Sequence, residues 1–364
     1  MDEVVLDGDV WEVPANCSRY FVDRTVALNQ PLARLDYVWN AQGHYLYNRS
    51  FDGSLIKHDA AYYSGVVDIA GVDQVPTLSY FDKVAARFNE GFHTVDIGCG
   101  QGEFVNALLA RGFSAVGYDP VLRTSAEHLV GRYWVPGETS ANLYVMRCVL
   151  PHIPEPWNFL RAIAESDPGA RVLLEFQSLD WIADKGVWYQ LSHDHVNLFR
   201  PQDFFARFDV IDSGEFSNGE WAWVLIDPHE FPTSPPTEFE RPDAIRNLRI
   251  ARTELLRAAS IRDQPLVIWG AAGKGQVLCH ALVQSGFTEV VAADADQRRW
   301  GQFLEVSGVE VVEPTVVRDE LVDRQVLVAN PTHLDSVNTY LNEGDARNAC
   351  AVTPAQFARE VLAE

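Results

Sequence analysis

Paired cysteines and long apolar runs are missing from this 364-residue sequence. Its five cysteines (17, 99, 148, 279 and 350) form no Cys-x-x-Cys pair, which argues against a disulfide framework and against a zinc site built from neighbouring residues. No apolar run reaches the roughly 20 residues that a membrane helix needs. The acidic N-terminus does not resemble a secretory or transit peptide. We therefore predict a soluble cytoplasmic protein with no membrane partner.

Positive charge is also scarce. The formal net charge is −22, and only four of the 29 basic residues are lysines. Proteins that bind nucleic acids hold the phosphate backbone with lysine and arginine, so we do not expect nucleic acid as a partner. Because lysine is so rare, Lys274 within a glycine-rich turn deserves a functional hypothesis.

Strand-like and helix-like segments alternate along most of the chain. From residue 76 the order is helix, buried strand HTVDI, glycine turn, helix and strand SAVGYD, and the alternation restarts at PLVIWG near residue 265. This order predicts an α/β fold with a doubly wound sheet, followed by a second Rossmann-like unit. We predict a small N-terminal module at 1–75, a nucleotide-type domain at 76–228 and a C-terminal Rossmann-like domain at 229–364.

The most specific motif is VDIGCGQGEF at residues 95–104. Its glycines allow the backbone to approach a ligand closely, and the carboxylate of Asp96 before the turn favours a cationic ligand over an anionic one. Asp119 closes the next strand, where a carboxylate can hold ribose hydroxyls. The predicted cofactor-binding residues are Asp96, Gly98, Cys99, Gly100, Gly102 and Asp119.

This pattern resembles the class I S-adenosylmethionine-dependent methyltransferases, in which an acidic residue precedes Gly-x-Gly-x-Gly and another closes the second strand. The resemblance implies S-adenosyl-L-methionine as the cofactor. Two alternatives are an ordinary strand–helix turn that uses glycine for packing and, less favoured, a NAD site.

Further segments are similar to one methyltransferase group. They are YVMRCVLPHIPEPWNFL (144–160), WYQLSHDHVNLFRPQDF (188–204), VIWGAAGKGQVL (267–278) and AADADQRRWGQFL (292–304). In order and spacing they resemble the three-domain sugar C-methyltransferases, which methylate nucleotide-linked keto-deoxysugars in antibiotic pathways. The resemblance implies a small-molecule acceptor, a nucleotide-sugar, in natural-product biosynthesis.

The sequence departs from that family at several positions. The N-terminal zinc motif of paired cysteines is absent, and only Cys17 lies in that region. Pro151 replaces a glutamate, Ser192 replaces a tyrosine, and Asp194 replaces a glutamate. These differences affect the expected acceptor more than the expected cofactor. Because the paired cysteines are absent, we predict no metal.

Residues 192–195 read Ser-His-Asp-His and admit three interpretations. A metal site would use His193 and His195, which point the same way in an extended chain, but no third ligand is evident. A polar surface loop is the plainest alternative. We favour proton handling, because an imidazole titrates near neutral pH and carbon methylation beside a carbonyl requires proton removal. By resemblance His195 is the base, with Asp194 as its acidic neighbour and His193 as the second candidate.

Three further residues have predicted roles. Arg147 lies in an apolar strand and needs an anionic partner, for which the cofactor carboxylate is one candidate. His152 follows the same strand and is predicted to contact the acceptor, although it could equally bond a loop. Lys274, in the turn GAAGKG, is predicted to contact an anionic group of the acceptor, with glycine packing and a NAD site as alternatives.

The sequence thus predicts a methyltransferase that acts on carbon. N- or O-methylation of another small molecule on the same scaffold is the second hypothesis. A non-catalytic protein that binds a nucleotide is the third.

Overall fold

A computed structural model describes most of the chain. The described residues are 3–4, 11–16, 18–63, 75–89, 91–230, 235–238, 240, 242–262, 264–320, 323–343 and 350–363. Cys17 and parts of the proline-rich segment 229–242 lie outside them. Among the described residues, no helix has the length and apolar character needed to cross a bilayer.

The N-terminal part is built from short strands. In chain order it contains β1 (Glu3–Val4), β2 (Trp11–Pro14), β3 (Tyr20–Phe21), α1 (Arg24–Leu28), β4 (Leu32–Leu35), β5 (Tyr37–Asn40) and β6 (Tyr45–Asn48). Large aromatic side chains of these strands are buried, including Tyr37 and Trp39. The module therefore packs mainly through aromatic rings.

The middle of the chain forms the largest sheet. Its elements are α2 (Leu78–Ala85), β7 (His93–Ile97), α3 (Glu103–Ala110), β8 (Ser114–Tyr118), β9 (Leu129–Val130), β10 (Leu143–Arg147), α4 (Pro156–Ser166), β11 (Arg171–Gln177), α5 (Leu179–Lys185), β12 (Asn197–Leu198), α6 (Pro201–Phe205), β13 (Phe208–Phe216) and β14 (Trp221–Glu230). The strand order is β13-β14-β11-β10-β7-β8-β9. Strand β14 runs antiparallel to both of its neighbours, β13 and β11, and all other neighbouring pairs are parallel. The predicted α/β fold is confirmed.

The central strands are buried on both faces, as their continuous apolar runs predict. Tyr144, Val145 and Met146 of β10 are fully buried. Helices therefore cover both sides of the sheet, which is the arrangement typical of parallel strands. The carboxyl ends of β7, β8, β10 and β11 meet at one edge, where polar side chains can converge.

Strand β12 is not part of the seven-stranded sheet and pairs with the N-terminal part instead. It pairs with β6, so that the N-terminal sheet has the order β1-β5-β6-β12. The hydroxyl of Tyr37 donates to the carbonyl oxygens of Ser192 (3.0 Å) and His195 (2.5 Å). The N-terminal module therefore fixes the backbone of the histidine-containing segment.

The C-terminal part contains a second parallel sheet. Its elements are α7 (Pro242–Arg262), β15 (Leu266–Trp269), α8 (Gly273–Gln284), β16 (Val290–Ala293), β17 (Phe303–Leu304), β18 (Val311–Val312), α9 (Pro314–Asp319), β19 (Gln325–Val328), α10 (Leu334–Leu341) and α11 (Pro354–Ala363). The order is β18-β16-β15-β19, and β17 pairs with β3 of the N-terminal part. The domain boundaries at residues 75 and 228 stay predictions.

Candidate active site

A glycine turn connects β7 to α3. Gly98 (φ +75°) and Gly102 (φ +91°) adopt left-handed conformations that favour glycine. A Cβ atom on Gly98 would lie 2.4 Å from Cγ2 of Val149, so no larger residue fits there without movement. The amides of Gly98 and Cys99 donate to the carbonyl oxygen of Tyr118 at 2.8 and 3.1 Å. These bonds tie the turn to the end of β8.

Two carboxylates flank this turn. Asp96 is fully buried, and its Oδ2 accepts from Nη2 of Arg147 at 3.1 Å. Its Oδ1 has no hydrogen-bond partner among the described residues, although a buried carboxylate oxygen requires one. Burial raises the pKa of Asp96, and the neighbouring Arg147 opposes that rise.

Asp119 lies at the end of β8. Its Oδ2 accepts from the amide of Gly100 (3.0 Å) and its Oδ1 from the amide of Val121 (2.8 Å). An ionised carboxylate has about four acceptor positions, so two remain for ligand hydroxyls. Asp119 therefore keeps acceptor positions for the hydroxyls of a ligand beside the turn.

The side chains of Cys99 and Arg147 have structural partners. A Cβ atom on Gly117 would lie 2.6 Å from Sγ of Cys99, so this thiol packs against β8 and only its backbone belongs to the turn. Burial raises the pKa of the Cys99 thiol. The guanidinium of Arg147 lies 4.7 Å from the ring centroid of Phe104 and balances the charge of Asp96.

Glu175 is a buried carboxylate that the sequence analysis missed. It lies on β11 and accepts hydrogen bonds of 2.7 Å from the hydroxyls of Thr77 and Tyr80. Together with Asp96 it raises the pKa of Arg147, against the opposing effect of burial. The available signal was a lone glutamate within the apolar run RVLLEF.

Two histidines face each other near the carboxyl ends of β10 and β11. The rings of His152 and His195 have their centroids 4.7 Å apart. Nδ1 of His152 lies 2.7 Å from the carbonyl oxygen of Asp194, which can only accept, so Nδ1 carries the proton and Nε2 is left as an acceptor. The carboxylate of Asp194 accepts from Oγ of Ser192 at 2.7 Å. The structure thus brings together three predicted residues from two segments, His152, Asp194 and His195.

The environment of His195 keeps its imidazole neutral. Burial, reinforced by the nearby His152, lowers the pKa of His195 to about 4, while Asp194 acts in the opposite direction. A neutral imidazole can accept a proton at neutral pH. Asp194 would then stabilise the imidazolium that forms.

The protonation of His195 can be measured directly. We expect its ring resonances to stay unchanged from pH 7.5 to pH 5.5, because the neutral form persists well below the usual histidine pKa of about 6.5. In His152→Gln the pKa of His195 should rise, because His152 contributes to lowering it. Histidine-selective NMR titration gives both values. A midpoint near 6.5 in the unsubstituted protein would contradict the lowered pKa of His195.

His58 from the N-terminal module approaches the same cleft. Its Nδ1 lies 3.1 Å from the hydroxyl of Tyr133. Burial lowers the pKa of His58, and His152 lowers it further. No periodic pattern or motif in the sequence points to His58, because it reaches the cleft only through the packing of the N-terminal module.

His193 occupies a different place from His195, contrary to the extended geometry assumed above. The chain bends between them. His193 is fully buried, stacks on Phe51 with centroids 5.2 Å apart, and lies with Nε2 3.1 Å from the amide nitrogen of Asp52. His193 packs against the N-terminal module and does not line the cleft, so it has no role in the proposed mechanism.

The structure replaces the His193–His195 pair considered from the sequence by a different set of possible metal ligands. Donor atoms of His152, Asp194 and His195 all lie within 4.8 Å of one another, a separation that could hold a metal ion. Two histidines and one carboxylate also form donor sets for iron. The same three groups suit proton transfer equally well. The metal content of the purified protein therefore has to be measured.

We expect the purified protein to contain no stoichiometric zinc, because paired thiolates of a structural zinc site are absent from the sequence. Elemental analysis after dialysis checks this expectation. One metal ion per chain in the unsubstituted protein, lost in His152→Gln, would assign the cluster to metal binding instead of acid–base chemistry.

Lys274 lies in the second glycine turn, at the start of α8. Its Nζ is 2.5 Å from Oε1 of Glu220, and its side chain is mostly buried. A cavity of about 420 Å³ lies nearby, lined by residues that include Trp181, Lys185, Thr332 and Arg359. None of the predicted site residues lines this cavity, so it is separate from the histidine pair.

Comparisons with known proteins bear on the central part of the chain. Residues 76–209 match the model of a methyltransferase domain family. No curated protein matches the sequence. Among solved structures, mitomycin 7-O-methyltransferase is similar at 21% identity and a TM-score of 0.33, over 42% of this chain and 53% of that chain. A protein from Pyrococcus horikoshii is similar at 14% identity and a TM-score of 0.34, over 45% and 94%.

The matched part thus spans about half of the mitomycin enzyme (53%). The family match covers the glycine turn, Asp119, the histidine pair and five strands of the large sheet, whose order agrees with a class I Rossmann-like fold. Residues 76–209 of this chain therefore match a methyltransferase domain.

Proposed function

We propose that this protein methylates a carbon atom of a small-molecule acceptor, and that His195 removes the proton from that carbon. The observation that carries the proposal is the pair of imidazoles, His152 and His195, near the strand ends that border the cofactor turn. Methylation of a carbon beside a carbonyl requires removal of a proton, and a neutral imidazole at this position can accept it. The same imidazole could also take the proton of a hydroxyl acceptor, so the product has to be identified.

The cofactor would be held by the first glycine turn. The orphaned Oδ1 of Asp96 would accept from the ammonium, and Asp119 would accept from the ribose hydroxyls. Bound S-adenosylmethionine supplies an electrophilic methyl group. The chain's own contribution there is positioning, because the turn is fixed to β8 before any ligand arrives.

Acid–base chemistry would fall to the histidine pair. His195 accepts the α-proton of the acceptor, and the two electrons of the C–H bond pass into an enolate. The enolate carbon then forms the new bond to the methyl group, and the electrons of the broken carbon–sulfur bond stay on sulfur. Asp194 stabilises the protonated His195, and Nε2 of His152 accepts from an acceptor hydroxyl.

We further propose that the acceptor is a nucleotide-linked keto-deoxysugar of natural-product biosynthesis. This rests on the resemblance of residues 144–160, 188–204 and 267–304 to the sugar C-methyltransferases. A keto-sugar offers both an acidic carbon next to a carbonyl and hydroxyls for His152. The N-terminal module, which brings His58 to the cleft, would contact the acceptor without a zinc ion.

The test uses a panel of nucleotide-linked keto-deoxysugars and methyl-¹³C-labelled S-adenosylmethionine. NMR of the product should show a labelled methyl group bonded to carbon. In deuterated water without a methyl donor, the unsubstituted protein should exchange the α-proton of its acceptor, and His195→Gln should not. A methyl group on oxygen or nitrogen, without such exchange, would favour the second hypothesis and refute carbon methylation.

A further inference from the structure

The C-terminal sheet has the topology of a ligand-binding α/β unit. The chain proceeds from β15 to β16 and β18 on one side, and then returns to place β19 on the other side of β15. Ligands of such sheets bind outside the carboxyl ends of the strands at this switch point. Lys274 follows β15, and Asn330 and Thr332 follow β19, so three donors flank the position where a ligand would be expected.

A carboxylate from another part of the chain already occupies this position. Glu220 belongs to the hairpin between β13 and β14 of the large sheet and is 1% exposed. It accepts from Nζ of Lys274 (2.5 Å), from Nδ2 of Asn330 (3.1 and 3.0 Å) and from Oγ1 of Thr332 (2.9 Å). Both of its oxygens are therefore engaged by groups of the C-terminal sheet. Burial opposes its ionisation, yet Lys274 and these hydrogen bonds hold the pKa of Glu220 below its usual value.

A nucleotide site of this kind also has a carboxylate at the end of the second strand. Here that carboxylate, like Glu220, is bonded to groups of the same chain. Asp294 follows β16, and it accepts from the amides of Ala271 (2.7 Å) and Asp296 (2.9 Å), as Asp119 accepts from Gly100 and Val121 in the first turn. Unlike Asp119, it also accepts two bonds of 2.9 Å from the buried guanidinium of Arg299. The hydrogen-bond positions of Asp294 that would hold ribose hydroxyls are therefore already occupied.

Glycine in this turn serves packing. A Cβ atom on Gly275 would lie 1.7 Å from the carbonyl oxygen of Gly270, so the helix could not approach the strand with any other residue. Packing therefore explains Gly275 without a bound nucleotide, whereas a Cβ atom on Gly273 would meet no atom within 4 Å.

We propose that Glu220 is an internal anion that occupies the ligand position of the C-terminal sheet, so that this unit binds the hairpin of the large sheet in place of a phosphate. The C-terminal unit is then a docking partner of the large sheet. The predicted contact between Lys274 and an anion of the acceptor is replaced by an ion pair within the chain. This inference does not depend on which atom the enzyme methylates.

Chemical rescue tests the assignment. Glu220→Ala removes the carboxylate and leaves its three donors facing a void, so acetate or inorganic phosphate should bind there. We expect either anion to raise the thermal unfolding midpoint of Glu220→Ala, whereas sodium chloride at equal ionic strength should not. Phosphate should bind Glu220→Ala at least about tenfold more tightly than the unsubstituted protein.

Two variants serve as controls. Glu220→Ala combined with Lys274→Met should lose the rescue, and Glu215→Ala, an exposed glutamate of the same hairpin, should never show it. If Glu220→Ala does not fold in chloride, refolding in acetate or phosphate provides the readout. Failure of both anions to restore stability or folding would overturn the proposal. So would phosphate binding to the unsubstituted protein that Lys274→Met abolishes, because the position would then be open.

Discussion

Replacing His195 by glutamine is expected to lower the single-turnover rate of methyl transfer by about 10²–10⁴-fold, the usual loss when a general base is removed. Glutamine keeps a similar size and some hydrogen bonding but cannot accept the proton. Binding of the methyl donor should be nearly unchanged, because the turn at 98–102 is untouched. Rapid-quench measurement with saturating donor separates the chemical step from product release.

Two other histidine variants make the result interpretable. His193→Gln should have a smaller effect on rate per folded molecule, because His193 is buried against Phe51 outside the cleft. His93→Gln, at the opposite end of β7, should have none. Near-normal chemistry in His195→Gln would show that the assigned enolate mechanism is wrong, and would favour O- or N-methylation by positioning alone.

Replacing Asp119 by alanine should weaken binding of S-adenosylmethionine by at least about tenfold. Hydrogen bonds to charged groups contribute roughly 1.5–3 kcal/mol each, and Asp119 would provide two to the ribose. The variant also loses the two bonds that Asp119 accepts from the amides of Gly100 and Val121. Calorimetric titration of the folded variant gives the affinity.

Asp82→Ala is the matched control for that variant. Asp82 is a carboxylate on α2 whose side chain is 78% exposed, so its loss should leave donor affinity unchanged. Equal affinities for Asp119→Ala and the unsubstituted protein would show that the end of β8 does not hold the ribose.

Much of the fold could be predicted from local sequence patterns. The run HTVDI became β7, SAVGYD became β8 followed by Asp119, and PLVIWG contains β15. Parallel strands that are buried on both faces need continuous apolar runs, so their sequences identify them without knowledge of the rest of the chain. The glycine turn was recognisable for a similar local reason, since it needs glycine at positive φ.

The arrangement of the site depended on contacts between distant segments. Alternation along an extended chain predicted that His193 and His195 point the same way, but His193 is buried against Phe51 and Asp52 of the N-terminal module. His152 became the neighbour of His195 because the ends of β10 and β11 meet. Glu220 and Lys274 are 54 residues apart, and no sequence pattern relates them.

We infer that one methyl-donor site exists at the first glycine turn and that the second turn holds no nucleotide. Isothermal titration with S-adenosylhomocysteine and, separately, with NAD tests it most directly. We predict one S-adenosylhomocysteine site per chain, weakened in Asp119→Ala, and no heat of binding from NAD. Binding of NAD, or absence of an S-adenosylhomocysteine site in the folded protein, would contradict the account.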